Sequence, residues 1–111
     1  LIVGTSVAAE AAVEILRRKK LSGKIRVLAY YYSPGVHKLI KRGAITAAVS
    51  DQQGLQARVS LDQLIRILEH RSFYRHVGPK VVVVDGTTIS QFDASTSIPP
   101  PGFRPIFNVG E

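Results

Sequence analysis

The chain has 111 residues, enough for one domain whose single core takes roughly two-thirds of the unfolded surface out of water. It has no cysteine, which excludes disulfides, thiol chemistry and Cys-ligated zinc, and no apolar run approaches the roughly 18 residues of a membrane span, so no membrane insertion is expected. The net charge is +7, and the whole excess lies in residues 1–50, where nine Lys and Arg face only Glu10 and Glu14.

In chain order, "LIVG" predicts a short buried strand over Leu1 to Val3. With no polar residues before it, it is expected to belong to a longer chain that continues upstream of Leu1. Thr5 or Ser6 is a good N-cap for a helix from Val7 to Lys20, with Val7, Ala8, Ala11, Ala12, Ile15 and Leu16 as its apolar stripe. Ser22-Gly23 stops it. "IRVLAYYY", 25–32, reads as a second strand, and Pro34-Gly35 turns the chain into a short helix, Val36 to Arg42, ending at Gly43. "AITAAVS", 44–50, is a third strand. This alternation within 50 residues is that of an α/β fold, a parallel sheet with crossover helices.

The pattern then changes. "SDQQG" reads as a polar linker, and Leu61, Leu64, Ile65 and Leu68 mark a strong helix after it. "VVVVDG" predicts a strand buried on both faces. Beyond Gly86 the sequence is rich in Thr and Ser, and "SIPPPGFRPIFNV" is expected to run extended, anchored by Phe103, Ile106 and Phe107.

The basic excess has two readings. One is a nucleic-acid face. The other is that helix C-termini collect cations, because the macrodipole favours them there. "LRRKKLSG" and "LIKRG" both run into a glycine stop, so helix ends account for the charge and no nucleic-acid partner is expected. No phosphate-binding fingerprint occurs. An apolar strand ending in Asp-Gly-Thr occurs in haloacid-dehalogenase-type phosphatases, but their nucleophilic Asp would fall on Val83, which cannot attack phosphorus. His37, His70 and His76 have no metal-ligand spacing. Neither an enzyme nor a metal or other cofactor is expected.

The tyrosines are the unusual feature: Tyr30, Tyr31 and Tyr32 stand together at a strand's carboxyl end, in a chain with only Tyr74 besides. Ligands of open parallel sheets bind beyond that end of the strands. Thr5 and Ser6 at the end of the first strand and Ser50 and Asp51 at the end of the third should reach the same rim. Alternation along a strand would aim Tyr31 away from Tyr30 and Tyr32.

The order of these elements from end to end, and most of all "LIKRGAITAAVSDQQGLQARVSLDQLIRILEH", resembles the last third of a type I periplasmic binding protein. The resemblance implies the C-terminal part of a two-lobed fold. Residues 1–50 would be a second-lobe segment, 51–85 a hinge crossing with a helix and strand given to the first lobe, and 86–111 a return crossing and proline-rich tail. Where sugar binders of the family carry an Asp after the second strand, this chain has Tyr31. Asp51 takes the hinge position, and Thr5-Ser6 replaces their Asn-Asp. These departures disfavour a sugar.

"YYSPGVHKLIKRGAITAAVSDQQ", the following "ILEHRSF" and "HVGPKVVVV", and above all the closing "PPPGFRP" make the resemblance strongest to the branch that senses trimethylamine N-oxide in the periplasm and signals through a membrane sensor histidine kinase. It implies that small ligand, an aromatic cage around Tyr31 supported by Tyr30 or Tyr32, and the kinase's periplasmic domain as partner. An effector-binding domain of a LacI-type repressor and a transport-associated solute binder share the fold and remain alternatives.

Overall fold

The computed structural model describes residues 1–106; Phe107, one of the expected tail anchors, lies outside them. Three parallel strands form in the expected order: β1 (Ile2–Gly4), β2 (Val27–Ala29) and β3 (Ala47–Ser50). The crossovers are α1 (Ser6–Arg18) and α2 (Pro34–Lys41). The Thr5 hydroxyl accepts the Ala8 N–H at 3.4 Å, and the Ser33 hydroxyl accepts the Val36 N–H at 3.0 Å, so each helix starts at a side-chain cap. Pro34 occupies the first turn of α2, where a missing N–H costs nothing.

Both helices cover one face of the sheet. Ala9 and Leu16 of α1, Val36 and Ile40 of α2, and Val27, Ala29 and Ala48 of the strands are buried together, with Ala12 and Val13 packed at the edge. The buried face of α1 is therefore Ala9, Ala12, Val13 and Leu16, and of the predicted stripe only Ala12 and Leu16 belong to it. Val7 and Ile15 are exposed. Counting small apolar residues could not choose between two alanine-rich faces of one helix.

The strand after the linker also departs from expectation. β4 (Val82–Asp85) does not leave for another lobe; it pairs antiparallel with β3, giving one sheet in the order β1-β2-β3-β4. It is also buried on one face only. Val84 is in the core, whereas Val83 is 63% exposed on the opposite face. Four consecutive valines carry no alternation from which the sequence could reveal this.

What does leave the sheet is α3 (Gln53–Leu68), which has no buried residue; Leu61, Leu64, Ile65 and Leu68 are all exposed. Its first turn is seated closely, since a Cβ on Gly54 would meet the Thr96 carbonyl at 3.0 Å. The rest stands away from the body. The molecule is accordingly 59 Å long with a radius of gyration of 17.4 Å, well above the ~13 Å of a compact domain of about this size.

Residues 86–98 return over the core face, where Ile89 is buried and Phe92 and Ile98 pack against the core. The tail is not anchored where expected: Phe103 and Ile106 are exposed. Three prolines in a row supply few N–H donors to tie such a segment down.

Candidate functional site

In register, Gly4 lies beside Ala29 and Ala29 beside Ala48. The three parallel strands thus end on one edge, where Thr5, Tyr30 and, two residues further along β3, Asp51 step off the sheet. β4 enters at the same edge, because its first residue, Val82, faces Ser50. A rim bounded by all four strands follows.

β2 stops at Ala29, so the alternation expected of the tyrosines does not extend through them. Tyr30 and Tyr31 are both open to solvent, at 58% and 47% exposure, whereas Tyr32 is 1% exposed. Tyr32 turns under α2, where its ring meets Phe92 edge-on at 5.2 Å and His37 at 5.9 Å. Its hydroxyl lies 2.6 Å from Nδ1 of His37. Burial pushes the Tyr32 phenol up to about 12. The phenol therefore stays protonated at neutral pH and needs an acceptor. Nδ1 is within reach, which fixes the His37 proton on Nε2. Desolvation, and then the nearby Lys41, hold His37 below the ordinary histidine range, in keeping with that neutral form. Tyr32 thus supports the rim from beneath and does not line it.

The remaining candidate residues sit at the rim with lesser commitments. Thr5 caps α1 through its hydroxyl. Ser6 begins that helix and is half-buried. Asp51 is half-buried, and its backbone carbonyl accepts Gln56 Nε2 at 3.0 Å.

A set of polar residues, of which the sequence pointed only to Ser50, joins the rim to α3. Ser50 is buried; its hydroxyl is 2.7 Å from that of Ser97 and accepts the Gln52 N–H at 3.0 Å. Gln53 donates from Nε2 to the Tyr32 carbonyl at 3.0 Å, and Gln52 from Nε2 to the Lys80 carbonyl at 2.8 Å. The segment that leaves the sheet at Gln52 and the one that re-enters before Val82 are thereby tied together. Gln52 adopts the left-handed conformation, φ 57° and ψ 54°, which a non-glycine residue takes at some cost and which turns the chain out of β3 into α3. "SDQQ" signalled a linker, but nothing local in the sequence could signal partners from residues 32, 80 and 97.

No family model matches this chain. It is 32% identical over 107 residues to the periplasmic protein TorT of Escherichia coli K12, an alignment covering 96% of this chain and 31% of that protein. A solved TorS sensor domain–TorT complex in the presence of TMAO superposes with a TM-score of 0.89 at 29% identity, over 96% of this chain and 36% of that one. An ABC transporter solute-binding protein from Bradyrhizobium sp. BTAi1, with bound bis-tris, superposes at 0.85 with 46% identity, over 96% and 32%. The chain is the C-terminal part of a type I periplasmic-binding-protein fold. It spans about a third of the length of these relatives. Because the superpositions take in nearly all of it, the antiparallel return of β4 and the outlying α3 belong to this periplasmic-binding-protein fold and are not oddities of one sequence.

Proposed function

We propose that this chain supplies one wall of the ligand cleft, and the hinge beside it, in a periplasmic receptor that binds trimethylamine N-oxide and signals to a membrane sensor histidine kinase. The observation that carries the proposal is the pair of exposed phenols, Tyr30 and Tyr31, on a rim where three parallel strands end and the chain crosses out into α3. Residues 53–80 are then the excursion to the first lobe, with crossings at Asp51–Gln52 and at Lys80–Val81. β4 stays with the second lobe.

The chemistry suits a substituted amine. The nitrogen of trimethylamine N-oxide is formally cationic and wrapped in methyl groups, and an aromatic face attracts such a group by roughly 0.5–2 kcal/mol per ring. The oxide oxygen only accepts hydrogen bonds, so it needs a donor such as a phenol O–H or a backbone N–H. An ionised Asp51 cannot serve and would instead orient a tyrosine or a water. Bis-tris, held by the Bradyrhizobium relative, likewise has a nitrogen bearing three carbon substituents. Ligand would favour lobe closure to the extent that it binds the closed state better, and the kinase would read the changed surface.

The 46% identity to a transporter's solute-binding protein favours a second reading, delivery of a substituted amine to a membrane transporter. Calorimetry on the full-length protein, with trimethylamine N-oxide against bis-tris and a set of sugars, tests the ligand class. Binding of the N-oxide that is lost in Tyr31→Ala supports the proposal; sugar binding, or N-oxide binding that Tyr31→Ala leaves intact, removes it.

A further inference from the structure

Ile98 to Pro101 forms a ridge with an apolar groove on each side. One groove, about 420 Å³, is closed by Arg58 of α3 with Ala94 and Ser95; the other, about 330 Å³, by Pro34, His37 and Lys38 of α2. The ridge is held at its root, where Ser97 bonds Ser50 and Ile98 packs against the core. It is also held at its tip. The Phe103 N–H donates to the Pro100 carbonyl at 3.1 Å, with Pro101 and Gly102 between them and Gly102 at φ 81°. Pro followed by a positive-φ Gly is the composition of a type II turn. Pro99, Pro100 and Pro101 are all exposed, and a polyproline segment so fixed loses little entropy on binding.

We infer that this ridge is the receptor's docking surface for a protein partner that presents aromatic side chains to the grooves and carboxylates to their rims. The occupant follows from shape and charge. Apolar grooves flanking a proline ridge are filled by flat aromatic rings, as in polyproline recognition. Lys38 stands on one rim, Arg58 on the other, and Arg104 follows the turn. Asp93 lies near Arg58, and its carboxylate is already engaged by the Ser95 N–H and hydroxyl. Resting on the reading above, the partner is the periplasmic domain of the sensor kinase. The ridge is then its point of attachment, set apart from the tyrosine rim.

The test is titration calorimetry of the full-length receptor against that kinase domain, with Lys38→Glu/Arg58→Glu and Pro100→Ser as variants and trimethylamine N-oxide titrated in parallel. The double charge variant should weaken kinase binding about tenfold at low salt, with the deficit shrinking as salt rises, and should leave ligand affinity unchanged. Pro100→Ser should weaken binding at all salt concentrations. Kinase binding unaltered by all three substitutions overturns the ridge while leaving the ligand reading in place. A wild type that binds neither kinase domain nor N-oxide overturns both. Binding of the same residues to anionic lipid vesicles, with none to the kinase domain, makes the ridge a membrane contact and overturns the inference as well.

Discussion

The hydroxyl of Tyr32 and Nδ1 of His37 lie 2.6 Å apart, with Tyr32 buried while its neighbours Tyr30 and Tyr31 are open to solvent. Removing the hydroxyl with Tyr32→Phe should cost about 1 kcal/mol, as for a typical buried hydrogen bond, since His37 is only half-buried and can turn to water. Urea unfolding measures it.

The same pair gives stability a pH dependence of known sign. Folding lowers the His37 value from the ordinary 6.5, so the unfolded chain binds more protons in the interval between the two. Stability should therefore be complete above 6.5 and fall as pH drops through the lowered value. His37→Gln should flatten the slope that sets in as pH falls below about 6.5 in a series of denaturant titrations.

Asp85 contributes to the acid limb, as do Glu14 and Asp93. The Thr87 hydroxyl, and then the N–H groups of Thr88 and Thr87, hold its carboxyl down to about 2. A lowered carboxyl contributes stability that is present above the ordinary 3.8 and is lost as pH falls towards 2. Asp85→Ala should melt below wild type at neutral pH, and the gap should close as pH approaches 2, as followed by thermal scans.

Glu10 of α1 reaches across to α2. Its carboxylate accepts the Ser33 hydroxyl at 2.9 Å and sits where a Cβ on Gly35 would go. Gly35→Ala should be nearly neutral, because its helix gain of about 1 kcal/mol is offset when Glu10 is pushed off Ser33. In a Glu10→Ala background the same change should stabilise by about 1 kcal/mol. A double-mutant cycle reads that difference as the coupling.

α3 tests the placement of the lobes. Leu61→Ser with Leu64→Ser should change the stability of residues 1–111 by no more than about 0.5 kcal/mol per site, because both side chains are exposed here. In the full-length protein the same changes should cost about 2 kcal/mol or more per site, the cost of removing leucines from a packed core. Equal effects in both would mean that α3 never meets a first lobe.

These contrasts also mark how far the sequence could be read. The start of α1 was legible because Thr5 acts locally as a cap. By contrast, α2 begins at Pro34, two residues before the expected Val36, because Ser33 caps it and Pro34 sits in its first turn. The leucine spacing of α3 correctly gave a helix, but spacing records an apolar face and not what covers it. The pairing of β4 was hidden because its partner β3 lies beyond a 31-residue excursion, 51–81, and "VVVV" suits either neighbour. At the rim, three adjacent tyrosines signalled something other than bulk. Which of them was buried depended on β2 ending at Ala29, a tertiary fact, and the links of Ser50 to Ser97 and of Gln53 to the Tyr32 carbonyl are tertiary as well.

The central claim is that the Tyr31 ring faces a bound quaternary nitrogen between two lobes. A crystal structure of the full-length protein with trimethylamine N-oxide tests it most directly. It should show the ligand nitrogen within about 6 Å of the Tyr31 ring centroid, with α3 packed on the opposite lobe. Ligand bound away from the ends of β1, β2 and β3, or a Tyr31 ring turned to bulk solvent in the bound state, would contradict it.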